Sequence, residues 1–249
     1  MATEAIAGAL SINVGSDGRP AIPGMPGADI VSSMMTLSAA LMALLRRQQT
    51  GVGDYIDVAM ADSIFVGVTN SLGSVFAEKK APDLDYERAL GGYAMYQIYD
   101  TADDKQIVLG GSEIHFAKAI LEKFDRLDLL PLCEPPPGPR QDPVKEFLRE
   151  TFATKNQAEW VEFFEGVNAA FAPVKNLREG ADDAQIRHRE MVVECERGWE
   201  HVGTPLKFKN EPGELKFEFA KAGQHTEEVL QTLGYLPEEI IQMKADGVF

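Results

Sequence analysis

The sequence predicts a mixed α/β protein organised around one long helix, and three features carry that expectation. Behind Asp29 lie sixteen residues, Ile30 to Leu45, without a single charge. Further on, Tyr93–Thr101 and Gln106–Leu109 alternate as strands do, with Ala102–Lys105 as the turn between them. Beyond residue 113, amphipathic stretches with polar residues at their starts recur, the pattern of short capped helices. The 249 residues are enough for a large core in one or two domains, and 45% apolar residues is ordinary for a soluble globular protein. Composition shifts divide the chain into a large-domain segment at 1–88, a small α+β domain at 89–190 and a C-terminal return segment at 191–249.

Residues 1–12 are small and apolar, a helix or a strand edge. Asn13–Gly27 holds four glycines and three prolines and reads as a loop, a frequent place for sites. The long helix follows. Ile30, Val31, Met34, Met35, Leu37, Leu41, Met42, Leu44 and Leu45 leave it no polar face, so it is expected to be buried on all sides. About sixteen residues span roughly 24 Å, short for a membrane crossing, and the serines argue the same way. Arg46 and Arg47 suit the negative C-terminal end of its dipole, and Gly51 and Gly53 end it. Asp29 stands at its start. There free N–H groups and the dipole favour an ionised carboxylate, and Asp is a common N-cap, a role that suffices on the residues alone.

A second helix is expected over Tyr55–Val75, from the helical spacing of Val58, Ile64, Phe65, Val68, Leu72 and Val75. Residues 77–90 form a charged linker. After the hairpin, Gly110 and Gly111 permit close backbone approach, Ser112 can cap, and a helix runs from Glu113 to Phe124. Cys133–Pro143 is a stiff exposed loop. Asp142 and Pro143 start the next helix as N-cap and first residue. Thr154 and Gln157 have capping-box spacing ahead of a helix bearing Trp160, Val161, Phe163 and Phe164. Phe171–Val174 is a short strand, 177–191 a polar helical segment, and Leu206–Lys209 and Leu215–Phe219 short strands. Thr226–Leu233 and Pro237–Ala245 close the chain as helices.

A net charge of −15 argues against nucleic acid and anionic membranes as partners. Two cysteines, Cys133 and Cys195, without motif spacing fit free thiols in a reducing compartment, and no secretory pattern opens the chain; a cytoplasmic location is expected. His115, His188, His201 and His225 lack metal-ligand spacing, so no metal is expected. No P-loop, dinucleotide fingerprint or Ser/His/Asp pattern is present.

Four stretches carry a resemblance. ALMALLRRQQTGVGDYIDVAMADS, YAMYQIYDTADDKQIVLGGSEIHF, FAPVKNLREGADDAQIRHREM and GQHTEEVLQTLGYLPEEIIQMKADGVF follow, in order, the patterns of the family III CoA-transferases. That family, of the CaiB/BaiF type, includes formyl-CoA transferase, the carnitine and bile-acid CoA-transferases and α-methylacyl-CoA racemase. AIAGALSINVG resembles the end of the family's preceding segment. The match therefore covers the later part of the family pattern, and implies a fold that lacks most of the N-terminal Rossmann-like half.

The resemblance implies specific chemistry. The residue matching Asp29 is a nucleophile in the transferases, attacking an acyl-CoA thioester on the way to an aspartyl-CoA intermediate. In the racemases it is one of two bases, the other a His upstream of Ala5 that this chain does not hold, so transferase chemistry is the first reading and racemisation the second. Glu113 matches the acidic residue that orients that His; on the residues alone it is equally a first-turn glutamate favoured by the dipole. Gly110 and Gly111 are candidate oxyanion donors. Arg46 and Arg47 are candidate CoA contacts, with Lys79, Lys80 and Arg88 as further cations. CoA and acyl-CoA enter as substrates with a carboxylic acid, and no permanently bound cofactor is implied. Family members form interlocked dimers, so a homodimer, or a complex with a chain carrying the missing half, is expected. A non-catalytic remnant or structural subunit is the third reading.

Overall fold

The expected long helix is the longest element of the structure, a computed structural model that describes residues 1–15 and 17–249. Its described residues fall into two units, Met1–Val174 and Lys175–Phe249. In the first, α1 (Ala2–Ile6) and a 3-10 turn at Ala9–Ile12 precede the Gly/Pro loop, and α2 then runs from Gly27 to Thr50. Pro26, with φ near −74°, sets the chain for entry, so the helix starts two residues ahead of Asp29. It ends at Gly51, whose φ of +74° lets its N–H reach the Arg47 carbonyl at 2.8 Å, a turn closed by a left-handed residue.

Within α2 the hydroxyls turn back on the helix. Ser32, Ser33, Thr36 and Ser38 donate to the carbonyls of Ala28, Asp29, Ser32 and Met34 at 2.7–2.8 Å. Bonded this way, they leave the helix surface effectively apolar all round. α2 has 24 residues, and an 18-residue stretch within it has a mean hydropathy of 1.7, so it is long and apolar enough to cross a membrane by length and composition. The sixteen-residue estimate was short because the glycine, alanine and polar residues at both ends also fold.

The expectation of all-round burial is overturned. Only Ala28 and Ser32 of α2 are buried, while Met34, Leu41 and Leu45 are 61%, 52% and 60% exposed. The reason is geometric. The elements against α2 are α1, of five residues, and α3 (Met60–Gly67), of eight, too short to cover it. The second helix is also split. Residues 55–59 lie outside any helix or strand, α3 ends at Gly67, and α4 occupies Thr69–Glu78. Val66, Gly67, Val68 and Thr69 are weak helix formers in succession, and the chain breaks among them.

The core of this unit lies further on. β1 (Tyr96–Asp100), β2 (Gln106–Gly110) and β3 (Phe171–Pro173) form an antiparallel sheet in that order, with Tyr96 opposite Gly110 and Leu109 opposite Phe171. On it pack α5 (Ile114–Lys123), a 3-10 segment at Leu127–Cys133, α6 (Asp142–Phe152) and α7 (Gln157–Phe163). Ile107, Leu109, Ile120, Leu121, Leu148, Phe152 and Trp160 are all fully buried there. The polar tips are satisfied: Trp160 Nε1 donates to the Phe152 carbonyl at 2.9 Å and Tyr99 Oη to that of Ala94 at 2.7 Å.

Several local expectations shift. Cys133 and Gln141 are buried rather than part of an exposed loop, and Gln141 Oε1 accepts the Ala94 N–H at 3.0 Å. Asp142 is the first helical residue, with Gln141 in the cap position. The α7 cap is Asn156, whose N–H is met by Glu159 at 2.8 Å, not Thr154. Gln157 turns inward instead, donating to the carbonyls of Gln106 and Val174 at 2.6 and 3.1 Å.

In the second unit, 177–191 is two helices, α8 (Leu177–Ala181) and α9 (Ala184–His188), the latter capped by Asp183 at the Gln185 N–H, 2.8 Å away. The hairpin is β4 (Val192–Glu194) with β5 (Glu200–Val202). The expected strands at Leu206–Lys209 and Leu215–Phe219 do not form. Pro212 and Gly213 separate them, and the alternating Phe217 and Phe219 meet His201 and Trp199 through ring contacts, at 4.5 and 5.2 Å, without a hydrogen-bonded ladder. α10 (Thr226–Thr232) and α11 (Pro237–Ala245) end the chain where the sequence places them.

Candidate active site

Asp29 sits in the first turn of α2 with its side chain exposed. Among the described residues that carboxylate makes no hydrogen bond or ion pair, while its backbone carbonyl accepts from Ser33 Oγ at 2.7 Å. It is therefore not the N-cap. That work falls to Glu4 of α1, whose buried carboxylate accepts the Ala28 N–H through Oε1 at 3.0 Å. The same bond holds the Glu4 carboxyl below the ordinary carboxylate range. Gly27 makes room for it, since a Cβ there would lie 3.2 Å from Oε1. Glu4 was missed in the sequence, although it is the only charged side chain among the first twelve residues. With Glu4 on the Ala28 N–H, the Asp29 carboxylate is left without a bond to the helix's N–H groups.

The second group of candidates lies after β2. The Gly110 N–H donates to the Ala170 carbonyl at 2.8 Å and the Gly111 N–H to that of Met95 at 3.1 Å. Both are engaged by the sheet and its flank, so neither offers a free donor to an oxyanion in this arrangement. Gly111 is needed for another reason: a Cβ there would fall 2.4 Å from the Phe116 ring and 2.9 Å from Ala170 Cβ. Glu113, not Ser112, occupies the cap position of α5, and its exposed side chain bonds no N–H of the helix. Ser112 Oγ instead lies 3.3 Å from Arg88 Nη2. Those two side chains, with Asn70 and Tyr96, line an open cleft of about 380 Å³.

Arg46 is tied to Asp54 at 2.5 Å and Arg47 is exposed. Seventeen residues of helix separate Arg46 from Asp29, roughly 26 Å at the α-helical rise, so these side chains do not touch. Among the described residues no hydrogen bond or ion pair joins Asp29 to Glu113, and no cluster of His, Cys, Asp and Glu could hold a metal ion. What the arrangement offers chemically is one unpaired carboxylate at a helix N-terminus, able to act as nucleophile or base, and a separate polar cleft beside Glu113.

The model of CoA-transferase family III matches residues 1–226. Human α-methylacyl-CoA racemase is 28% identical over 86% of the chain, and mouse succinyl-CoA:glutarate CoA-transferase 26% identical over 98%. The chain spans somewhat more than half of those curated relatives, 56% and 58% of their lengths. A crystal structure of a CAIB/BAIF family protein from Brucella suis superposes with a TM-score of 0.70 at 20% identity, covering 93% of this chain and 61% of that one. That likeness concerns the fold, which is the mixed α/β fold expected.

Proposed function

The chain belongs to CoA-transferase family III, and from that premise we propose that Asp29 is the nucleophile of a CoA transfer from an acyl-CoA to a carboxylic acid. The observation that carries the reading is the free, exposed Asp29 carboxylate at the α2 N-terminus, where the Ala28 N–H is already taken by Glu4. In the proposed sequence, an Asp29 oxygen attacks the thioester carbonyl and expels the CoA thiolate, leaving an acyl-aspartyl anhydride. The thiolate attacks the aspartyl carbonyl, releasing the donor acid and forming an aspartyl-CoA thioester. The acceptor carboxylate displaces the thiolate to give a second anhydride. Attack of the thiolate on the acceptor's acyl carbonyl then yields the new acyl-CoA and regenerates Asp29. Each step exchanges one activated acyl bond for another of similar energy, which is how covalent catalysis divides a hard transfer.

Since the chain matches just over half of its relatives' length, the activity is proposed for the assembly in which it works. That assembly is a homodimer or a complex with a further chain, and the exposed apolar length of α2 supports a partner. The test is CoA exchange from succinyl-CoA to a panel of carboxylic acids. Asp29→Asn should lower it on the order of 10³-fold or more with an unchanged circular dichroism spectrum. Hydroxylamine should convert the wild-type intermediate to a hydroxamate at Asp29, read by mass spectrometry. Exchange that survives in Asp29→Asn refutes the assignment.

Racemisation of a 2-methylacyl-CoA is the second reading, supported by the human racemase among the relatives and by Glu113 in the matching acidic position. It requires a second base on the opposite face of the substrate. Deuterium incorporation at the α-carbon in D₂O, with no acceptor acid added, distinguishes it from transfer.

A further inference from the structure

The geometry points to the cleft lined by Asn70 of α4, Arg88, Tyr96 of β1 and Ser112 as a binding subsite for the carboxylate of a small organic acid, held by the Arg88 guanidinium. Three observations lead there. The first is the state of Arg88. Arg46, Arg126, Arg149, Arg178 and Arg187 each hold a carboxylate within 2.8 Å, while among the described residues Arg19, Arg47, Arg189 and Arg197 hold none; Arg88 differs from those four in lining a cleft. Arg88 holds none among the described residues; its one hydrogen bond is to Ser112 Oγ, at 3.3 Å. The planar fork of a guanidinium matches the two oxygens of a carboxylate and is unfilled here.

The second observation is the lining. Asn70, Arg88, Tyr96 and Ser112 all present polar groups, and none of them is acidic. A carboxylate seated against Arg88 would have the Ser112 hydroxyl and the Asn70 amide as further donors, with no like charge among the described lining residues. A single cation with neutral donors suits a carboxylate better than a phosphate dianion, which would call for more positive charge. The third is location. Ser112 directly precedes Glu113 and follows Gly111, whose tight packing against Phe116 and Ala170 fixes the loop. The hydroxyl is thus held on a rigid support.

As the place where the acceptor acid is held, the subsite rests on the transfer reading above; as a carboxylate site it stands on the cleft alone. Ligand-observed NMR with succinate, which reads millimolar affinities, tests it on the full chain, with uncharged succinamide as control. Succinate should bind and succinamide should not. Arg88→Ala should weaken succinate at least tenfold, Arg88→Lys should recover part of the loss, and Ser112→Ala should cost a few-fold. Affinity for CoA should be unchanged in Arg88→Ala. In turnover, Arg88→Ala should raise the KM for the acceptor acid while kcat is largely kept. Absence of succinate binding to the wild type, equal binding by Arg88→Ala, or a loss confined to CoA would each overturn the subsite. Asp29→Asn should keep wild-type succinate affinity. If Asp29→Asn also keeps exchange, the transfer reading falls while Arg88-dependent binding still supports the subsite.

Discussion

Two apolar regions of this chain meet opposite fates. The sheet and its helices between residues 94 and 171 enclose their own core: Phe152, Trp160, Ile107 and Leu148 are fully buried, and Phe124 packs edge-on against Phe147, Phe152, Trp160 and Phe164. Helix α2 is at least as apolar in sequence, yet most of its large side chains stand exposed. The difference is one of supply. Every element that covers Trp160 lies within the same stretch of chain, joined by short connections that cost little entropy to close. For α2, the neighbouring helices are the short α1 and α3. Hydrophobicity gives the driving force for burial, and topology decides whether a cover is within reach.

The contrast can be broken by measurement. Trp160→Ala removes a fully buried indole and its hydrogen bond, and should cost about 3–5 kcal/mol in urea unfolding. Leu41→Ala, on a half-exposed face of α2, should change stability by no more than about 0.5 kcal/mol in the chain alone. A loss of several kcal/mol at Leu41 would mean that α2 is covered in solution, and would erase the contrast.

A smaller effect marks the core through its thiol. Burial pushes Cys133 up to about 11 from an ordinary 9.0. The unfolded thiol therefore loses its proton first as the pH rises. Stability from this group is full below pH 9.0 and is lost between there and about 11. Denaturation midpoints across that window should fall for the wild type and fall less for Cys133→Ala. Equal pH dependence of the two would show that the thiol titrates as if exposed.

The smallest effect is at the opposite end of the comparison, in the first turn of α2. The Ala28 N–H should exchange slowly while Glu4 is ionised. Because the Glu4 carboxyl is held below the ordinary 4.5, that protection is present above this pH and is lost as the pH falls through the lowered native value. Glu4→Ala should speed exchange at Ala28, and Glu4→Gln, which keeps an acceptor oxygen, should restore much of the protection. An Ala28 amide indifferent to both variants would remove Glu4 from the α2 cap.

Local pattern was the legible part of the fold. The alternation at Tyr96–Asp100 and Gln106–Gly110, the capped helices near 142, 157, 226 and 237, and the glycine stop at residue 51 all lie near where the sequence sets them. Each of these rests on interactions within a few residues. The misplaced strands at 206–209 and 215–219 show the limit, since alternation marks a segment fit for a sheet without naming a partner edge for it.

The candidate site divides in the same way. The residue types and their order, from Asp29 through Arg46 and Arg47 to Gly110, Gly111 and Glu113, were readable along the chain. Tertiary structure alone decided that Glu4, 24 residues before Ala28, takes the Ala28 N–H and that Asp29 does not serve as the cap. It also placed the glycine N–H groups in backbone bonds, and set Arg88 against Ser112 across 24 residues of sequence. Sequence determines what each group can do, through its charge, its donors and its backbone freedom. Which groups meet depends on how distant segments pack, and a hydrogen bond satisfied from one side is no longer available to the other.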